Sequence, residues 1–134
     1  MTPFQLKIVT PDGIAFDGMA ESVSVRSTSG DLGILAGHTN LVAPLGMGRA
    51  TIVMDGKRRY AACIGGMVSV IGGKVTLVPT TFEWAEDIDA ARAEKSYQRA
   101  QATLGSKDSS RTDLALAEAR LKRALVRKNV AASK

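Results

Sequence analysis

The sequence predicts an α+β chain: an N-terminal all-β sandwich of about nine or ten strands followed by a C-terminal antiparallel two-helix hairpin. Three observations carry this. From Phe4 to about Phe82 the chain is a series of short runs rich in Val, Ile, Leu and Thr, punctuated by glycine. At Trp84-Ala85-Glu86-Asp87 the pattern changes from alternation to apolar residues spaced by three and four. Gly105 and the polar stretch after it then divide the helical region in two. This places the sandwich at 1–84 and the hairpin at 85–134.

Taken in order, Phe4, Leu6 and Ile8 alternate with Gln5, Lys7 and Val9, which gives the first strand one face for a core. Val23 and Val25 alternate with Ser22, Ser24 and Arg26, and Ala50, Ile52 and Met54 with Thr51 and Val53. Between these runs, Gly30-Asp31-Leu32-Gly33-Ile34-Leu35-Ala36-Gly37-His38 packs three glycines around a short apolar stretch. Leu32, Ile34 and Leu35 are expected to fill a half-buried strand, with Gly30 and Gly33 at positive φ and His38 delivered to a loop tip. Asp55-Gly56 and Gly72-Gly73 are two-residue hairpin signals. Pro79-Thr80-Thr81 is expected to close the β region.

The first helix is expected from about 87 to 104, capped by Asp87 or Asp89. Its stripe is Ala90, Ala93, Tyr97, Ala100 and Leu104, and Gly105 ends it. Ser106-Lys107-Asp108 turns the chain, Ser109 or Ser110 caps the second helix, and Leu114, Ala117, Leu121 and Ala124 repeat the spacing. Two alanine-rich stripes suit an antiparallel hairpin. Burial is worth roughly 0.8 kcal/mol per CH₂, so a stripe dominated by alanine packs closely but weakly. The arm is therefore expected to dock and undock at modest cost.

With 134 residues and normal apolar content, the chain has the size of one domain, or of a small domain carrying an appendage. The single cysteine, Cys63, lies in an apolar run and is expected to be a buried small hydrophobe. One cysteine and one histidine do not make a structural zinc site, and a reducing compartment fits. No run approaches the roughly 18 apolar residues of a membrane-spanning helix. The net charge is +5, and residues 111–134 carry seven basic and two acidic groups, so the second helix supplies the excess. A basic segment of this kind fits an anionic partner.

By spacing, Asp89, Arg92 and Arg99 share one face of the first helix, and Arg120, Arg123 and Arg127 line one face of the second. Packed antiparallel, the two faces can surround an anion. The plainer reading is two solvated helix faces with a local Asp89–Arg92 ion pair. No motif places a base beside Ser106, Ser109, Ser110 or His38, so catalysis has little support. No glycine-rich phosphate loop of the Walker type is present either. A basic nucleic-acid-binding β-barrel with a helical tail is the rival reading, weakened by the scattered aromatics Phe4, Phe16, Tyr60 and Phe82.

The Gly30-to-His38 run resembles the signature of epsilon subunits of F-type ATP synthases, and Thr10-Pro11-Asp12-Gly13 with Phe16-Asp17-Gly18 is similar to that family's first hairpin. Ile88-Asp89-Ala90-Ala91-Arg92-Ala93 resembles the Ile-Asp-x-x-Arg-Ala motif with which some bacterial members bind ATP. Lys122-Arg123-Ala124-Leu125-Val126-Arg127 resembles the family's pair of arginines four apart. The resemblance implies a non-catalytic central-stalk subunit that couples rotation to proton or sodium transport and inhibits ATP hydrolysis through its C-terminal helices. It implies that the sandwich grips the gamma subunit and the c-subunit ring, with Gly30, Asp31, Leu32, Gly33 and His38 at the gamma contact. The basic second helix, Arg120 and Lys122 included, then meets acidic loops of the catalytic beta subunits. Glu83, Asp89, Arg92, Arg99, Arg123 and Arg127 take the nucleotide contacts. No cofactor is required, and any ATP is a regulatory signal. Nucleic acid is not an implied partner. The implied location is the cytoplasmic side of the cell membrane, peripheral, with the membrane reached only through the complex.

Overall fold

In the computed structural model, which describes residues 2–106 and 110–133, ten strands form two five-stranded sheets. In chain order they are β1 (Phe4–Thr10), β2 (Gly13–Ala20), β3 (Ser22–Ser27), β4 (Gly30–Ile34), β5 (Leu41–Pro44), β6 (Met47–Met54), β7 (Lys57–Ile64), β8 (Met67–Ile71), β9 (Lys74–Val78) and β10 (Thr81–Trp84). One sheet runs β2-β1-β9-β8-β5 and the other β10-β7-β6-β3-β4. All pairings are antiparallel except β1 with β9. Leu6, Ile8, Val23, Ile52, Val68 and Leu77 point between the sheets and are almost fully buried. That inner layer is the alternation read from the sequence, one residue in two.

The two hairpin signals hold. Asp55 and Gly56 turn β6 into β7 with φ of 50° and 73°, and Gly72 and Gly73 turn β8 into β9 with φ of 57° and 82°. Three expectations in the β region need correction. Gly33 does not sit at positive φ; it lies inside β4 opposite Ser24, while Gly30 and Gly37 take the left-handed turns at 123° and 80°. Leu35 does not fill the strand: β4 ends at Ile34, and Leu35 is 55% exposed. Thr81 begins the tenth strand rather than ending the β region, because Thr81 to Trp84 pair with β7.

The second half of β7 is buried on both faces, which is why Ala61-Ala62-Cys63-Ile64 reads as an unbroken apolar run. Ala61 and Cys63 face the sandwich core, and Ala62 packs with Ala85, Ile88 and Val130 under the helical region. The expected burial of Cys63 holds, and burial pushes its thiol pKa up to about 12.

The first helix starts later than expected. Ala85–Asp87 close a single 3₁₀ turn, and Ile88 is extended and buries its side chain. Asp89 then caps α1 (Ala90–Leu104) by accepting a hydrogen bond from the Arg92 backbone N–H at 3.0 Å. Gly105 is the C-cap, as expected. Ser110 caps α2 (Arg111–Ala131) through a capping box with Asp113. The turn at Lys107 and Asp108, and Ser109 as the other cap candidate, lie outside the described residues. Ala93 and Ala100 of α1 and Ala117 and Ala124 of α2 are buried between the helices, whereas Ala90 is exposed at the first turn. Among the described residues, no helix is long and apolar enough to cross a membrane.

Candidate functional site

The small alanines that let α1 and α2 approach leave longer side chains at the edge of the seam, and there the helices and β10 enclose a cavity of about 330 Å³. It is lined by Glu83 from β10, Asp87, Asp89 at the cap, Arg92 and Ser96 from α1, and Arg127 from α2, over a floor that includes Ala93 and Ala124. Arg127 Nε donates to Glu83 Oε1 at 2.6 Å, with both side chains about two-thirds buried. Arg92 lies one turn past the cap, and its guanidinium makes no ion pair among the described residues. The Asp89 carboxylate is engaged by the Arg92 backbone rather than by its side chain, so the local ion pair of the plainer reading is not formed.

Glu83, Asp89, Arg92 and Arg127 are thus brought together, although 44 residues separate Glu83 from Arg127. Arg99 is not in this cavity. It lines a second one of about 240 Å³ together with Arg120, and Ser96 borders both. Arg123 is half-buried and lines neither cavity. Carboxylates and guanidinium groups around one cavity suit a ligand that both donates hydrogen bonds and carries negative charge.

The residues assigned to partner contacts lie elsewhere. Gly30, Asp31, Leu32 and Gly33 lie in β4, the strand at the edge of its sheet, which among the described residues pairs only with β3. Asp31 meets Arg26 across that pair at 3.6 Å. His38 sits half-buried in the turn after β4, with Nδ1 donating to the Thr39 carbonyl at 2.7 Å. Lys122 and Arg120 are exposed on α2, and Lys122 pairs with Glu118 one turn away at 3.3 Å.

The two halves of the chain match two family profiles. Residues 3–85 match the β-sandwich domain of the ATP synthase delta/epsilon chain, and residues 86–132 match its long α-helix domain. An ATP synthase epsilon chain of Ruminococcus albus is 42% identical over 135 residues, covering 100% of both chains. Those of Bacillus velezensis and Bacillus subtilis are 44% and 47% identical, covering 98% and 85% of this chain and 98% and 86% of their own. The chain belongs to the ATP synthase epsilon-chain family.

Two solved structures share this epsilon-chain fold. A chain of the Euglena gracilis mitochondrial ATP synthase, in a structure of its OSCP, F1 and c-ring, superposes with a TM-score of 0.84 at 23% identity, covering 100% of this chain and 83% of that one. A chain from the central stalk and c-ring of the Tetrahymena thermophila mitochondrial ATP synthase gives 0.66 at 14% identity, covering 95% of each.

Sequence reasoning missed two features of the site. Ser96 is four residues past Arg92, so helical spacing alone was enough to place it on the same face. Lys128 Nζ lies 2.6 Å from Glu94 Oε2 and 4.1 Å from the centre of the Tyr97 ring, which ties α2 to α1. This clasp depends on the register of one helix against the other, and no spacing within either helix reveals it.

Proposed function

We propose that this epsilon chain is a non-catalytic central-stalk subunit of an F-type ATP synthase, and that ATP held between its helices keeps the arm folded against the sandwich. One observation carries the nucleotide part: folding the hairpin brings Arg127 of the second helix to a cavity with Glu83, Asp89 and Arg92, 44 residues from Glu83 in the chain. In this reading Asp89 and Glu83 accept from the base and sugar, and Arg92 and Arg127 receive phosphate oxygens, while Arg99 lines the neighbouring cavity and Arg123 lies outside both. ATP then favours the folded arm by its differential affinity for that state.

The released arm inhibits ATP hydrolysis. Arg120, Lys122 and the rest of the basic α2 face meet acidic loops of the catalytic beta subunits, an attraction that weakens with salt. The open edge of β4 with the His38 turn supports a contact with the gamma subunit, and the sandwich rests on the c-subunit ring. The subunit couples rotation to proton or sodium transport. It lies peripherally on the cytoplasmic side of the membrane, which it reaches only through the complex.

Two of the aromatics that a nucleic-acid reading would use for stacking are taken up by packing within the chain. Phe82 packs edge-to-face on Trp84 with ring centres 5.0 Å apart, and Arg59 covers the Trp84 ring at 3.7 Å. Calorimetric titration of the isolated chain with ATP tests the proposal. The expected result is saturable binding that Arg92→Ala weakens by at least tenfold, as loss of a charge-assisted contact of roughly 1.5–3 kcal/mol requires. No heat at millimolar ATP removes the nucleotide from the account.

A further inference from the structure

Burial along α2 is uneven. From Arg111 to Arg120 only Ala117 is buried, whereas Val126, Arg127, Lys128, Val130 and Ala131 are all buried or half-buried. Helix α2 packs against β6, β7 and the 3₁₀ turn at Ala85–Asp87, while the packing partner of α1 is α2. Val130 is 1% exposed and plugs a socket made by Ala62 of β7 with Ala85 and Ile88 of the connector, flanked by Tyr60, Val126 and Ala131. The small side chains of Ala62 and Ala85 leave the room that a branched side chain fills. Beside the plug is a polar clasp. Arg49 of β6 stacks over the Tyr60 ring at 4.7 Å, and its Nη1 donates to Ser133 Oγ at 3.1 Å. The same hydroxyl donates to the Asn129 carbonyl at 3.0 Å, which closes the last turn of α2.

We infer that the last turn of α2 is a latch: Val130 and Ser133 hold the whole arm on the sandwich, and when they let go both helices leave as one body. The inference does not depend on nucleotide. Helix α1 follows because its ties run to α2, through the buried alanines of the seam and the Lys128–Glu94 clasp. Those ties lie within the arm and survive its release. Helix ends are the parts of a helix that fray most readily. Unwinding one turn withdraws Val130 from its socket and Ser133 from Arg49 together, so a small local opening controls the position of two helices. Arg49 is thereby a positioning residue, fixed by its ring stack before the arm arrives.

The test uses thiol labelling of the full chain with a soluble maleimide. Ile88→Cys puts a probe in the socket, Ala100→Cys puts one in the interhelical seam, and the native Cys63 reports opening of the sandwich core. Each labelling rate follows the fraction of time that its site is open. The latch predicts that Val130→Ser speeds labelling at position 88 by about tenfold or more and Arg49→Ala by about fivefold, with the rates at position 100 and at Cys63 changed less than about twofold. Arg49→Ala lies outside both helices, so lost helicity does not explain its effect. A rate at position 88 that either variant leaves unaltered overturns the latch. An equal rise at position 100 also overturns it, because the hairpin then comes apart instead of leaving as a body. So does an equal rise at Cys63, which means that the sandwich itself opens.

Discussion

Arg127 of α2 and Glu83 of β10 meet at 2.6 Å, the one side-chain ion pair among the described residues that joins the second helix to the sandwich. It adds to the apolar contact of Val130 with Ala62, Ala85 and Ile88 in holding the arm against the sandwich. The same guanidinium lines the cavity proposed for the nucleotide.

Glu83→Gln should loosen α2 from the sandwich while leaving both folded. Both partners keep about a third of their surface in water, so solvent screening limits the loss to about 1 kcal/mol. Thermal melts followed separately by helix signal and by Trp84 fluorescence should show the helices melting earlier and the sandwich hardly shifted. Equal shifts of both signals would mean that arm and sandwich unfold as one unit.

The seam should weaken in acid. The hydrogen bond from Lys128 holds the Glu94 carboxyl below its usual pKa, so the group is lowered on folding. A lowered carboxylate contributes stability that is present above its unfolded pKa and is lost as pH falls through its folded value. Hairpin stability should therefore decline as pH falls from the ordinary carboxylate value of Glu94 toward and through its lowered one. Glu94→Gln should flatten that decline, as measured by helix content against pH. An unchanged acid limb in the variant would assign the pH dependence to other carboxylates.

Gly66→Ala should be far more damaging than Gly33→Ala. Gly66 has φ of 92°, and a Cβ there would lie 2.0 Å from the Val78 carbonyl oxygen and 2.7 Å from the Pro79 Cα, both backbone atoms. Gly33 is extended, and an added Cβ meets nothing within 4 Å. The expected cost is about 3 kcal/mol or more for Gly66→Ala and within about 1 kcal/mol for Gly33→Ala. Denaturant titration reads both. Similar midpoints would show that the turn at Gly66 relaxes freely.

Much of this was legible because it is local. Alternation at Phe4, Leu6 and Ile8 and the turn chemistry of Asp55-Gly56 depend on near neighbours, and both appear as read. The capping role of Asp89 is equally local. What was misread depends on distant packing. Gly33 looked like a turn glycine because the sequence does not show that β3 pairs across it, and Leu35 looked like core because the strand end is set by the turn that follows. The site divides in the same way. Asp89 and Arg92 were found from one helix, whereas the separation of Arg99 from Arg127, the shared cavity of Arg99 and Arg120 and the place of Arg123 depend on how α2 lies against α1.

If nucleotide holds the arm folded, as proposed, amide hydrogen exchange of the isolated chain with and without millimolar ATP will show it. ATP should slow exchange throughout 90–104 and 111–131 and leave the inner strands β1, β6 and β8 unchanged, and Arg92→Ala should remove the protection. Exchange in both helices that ATP leaves unaltered, or protection that survives in Arg92→Ala, would contradict it.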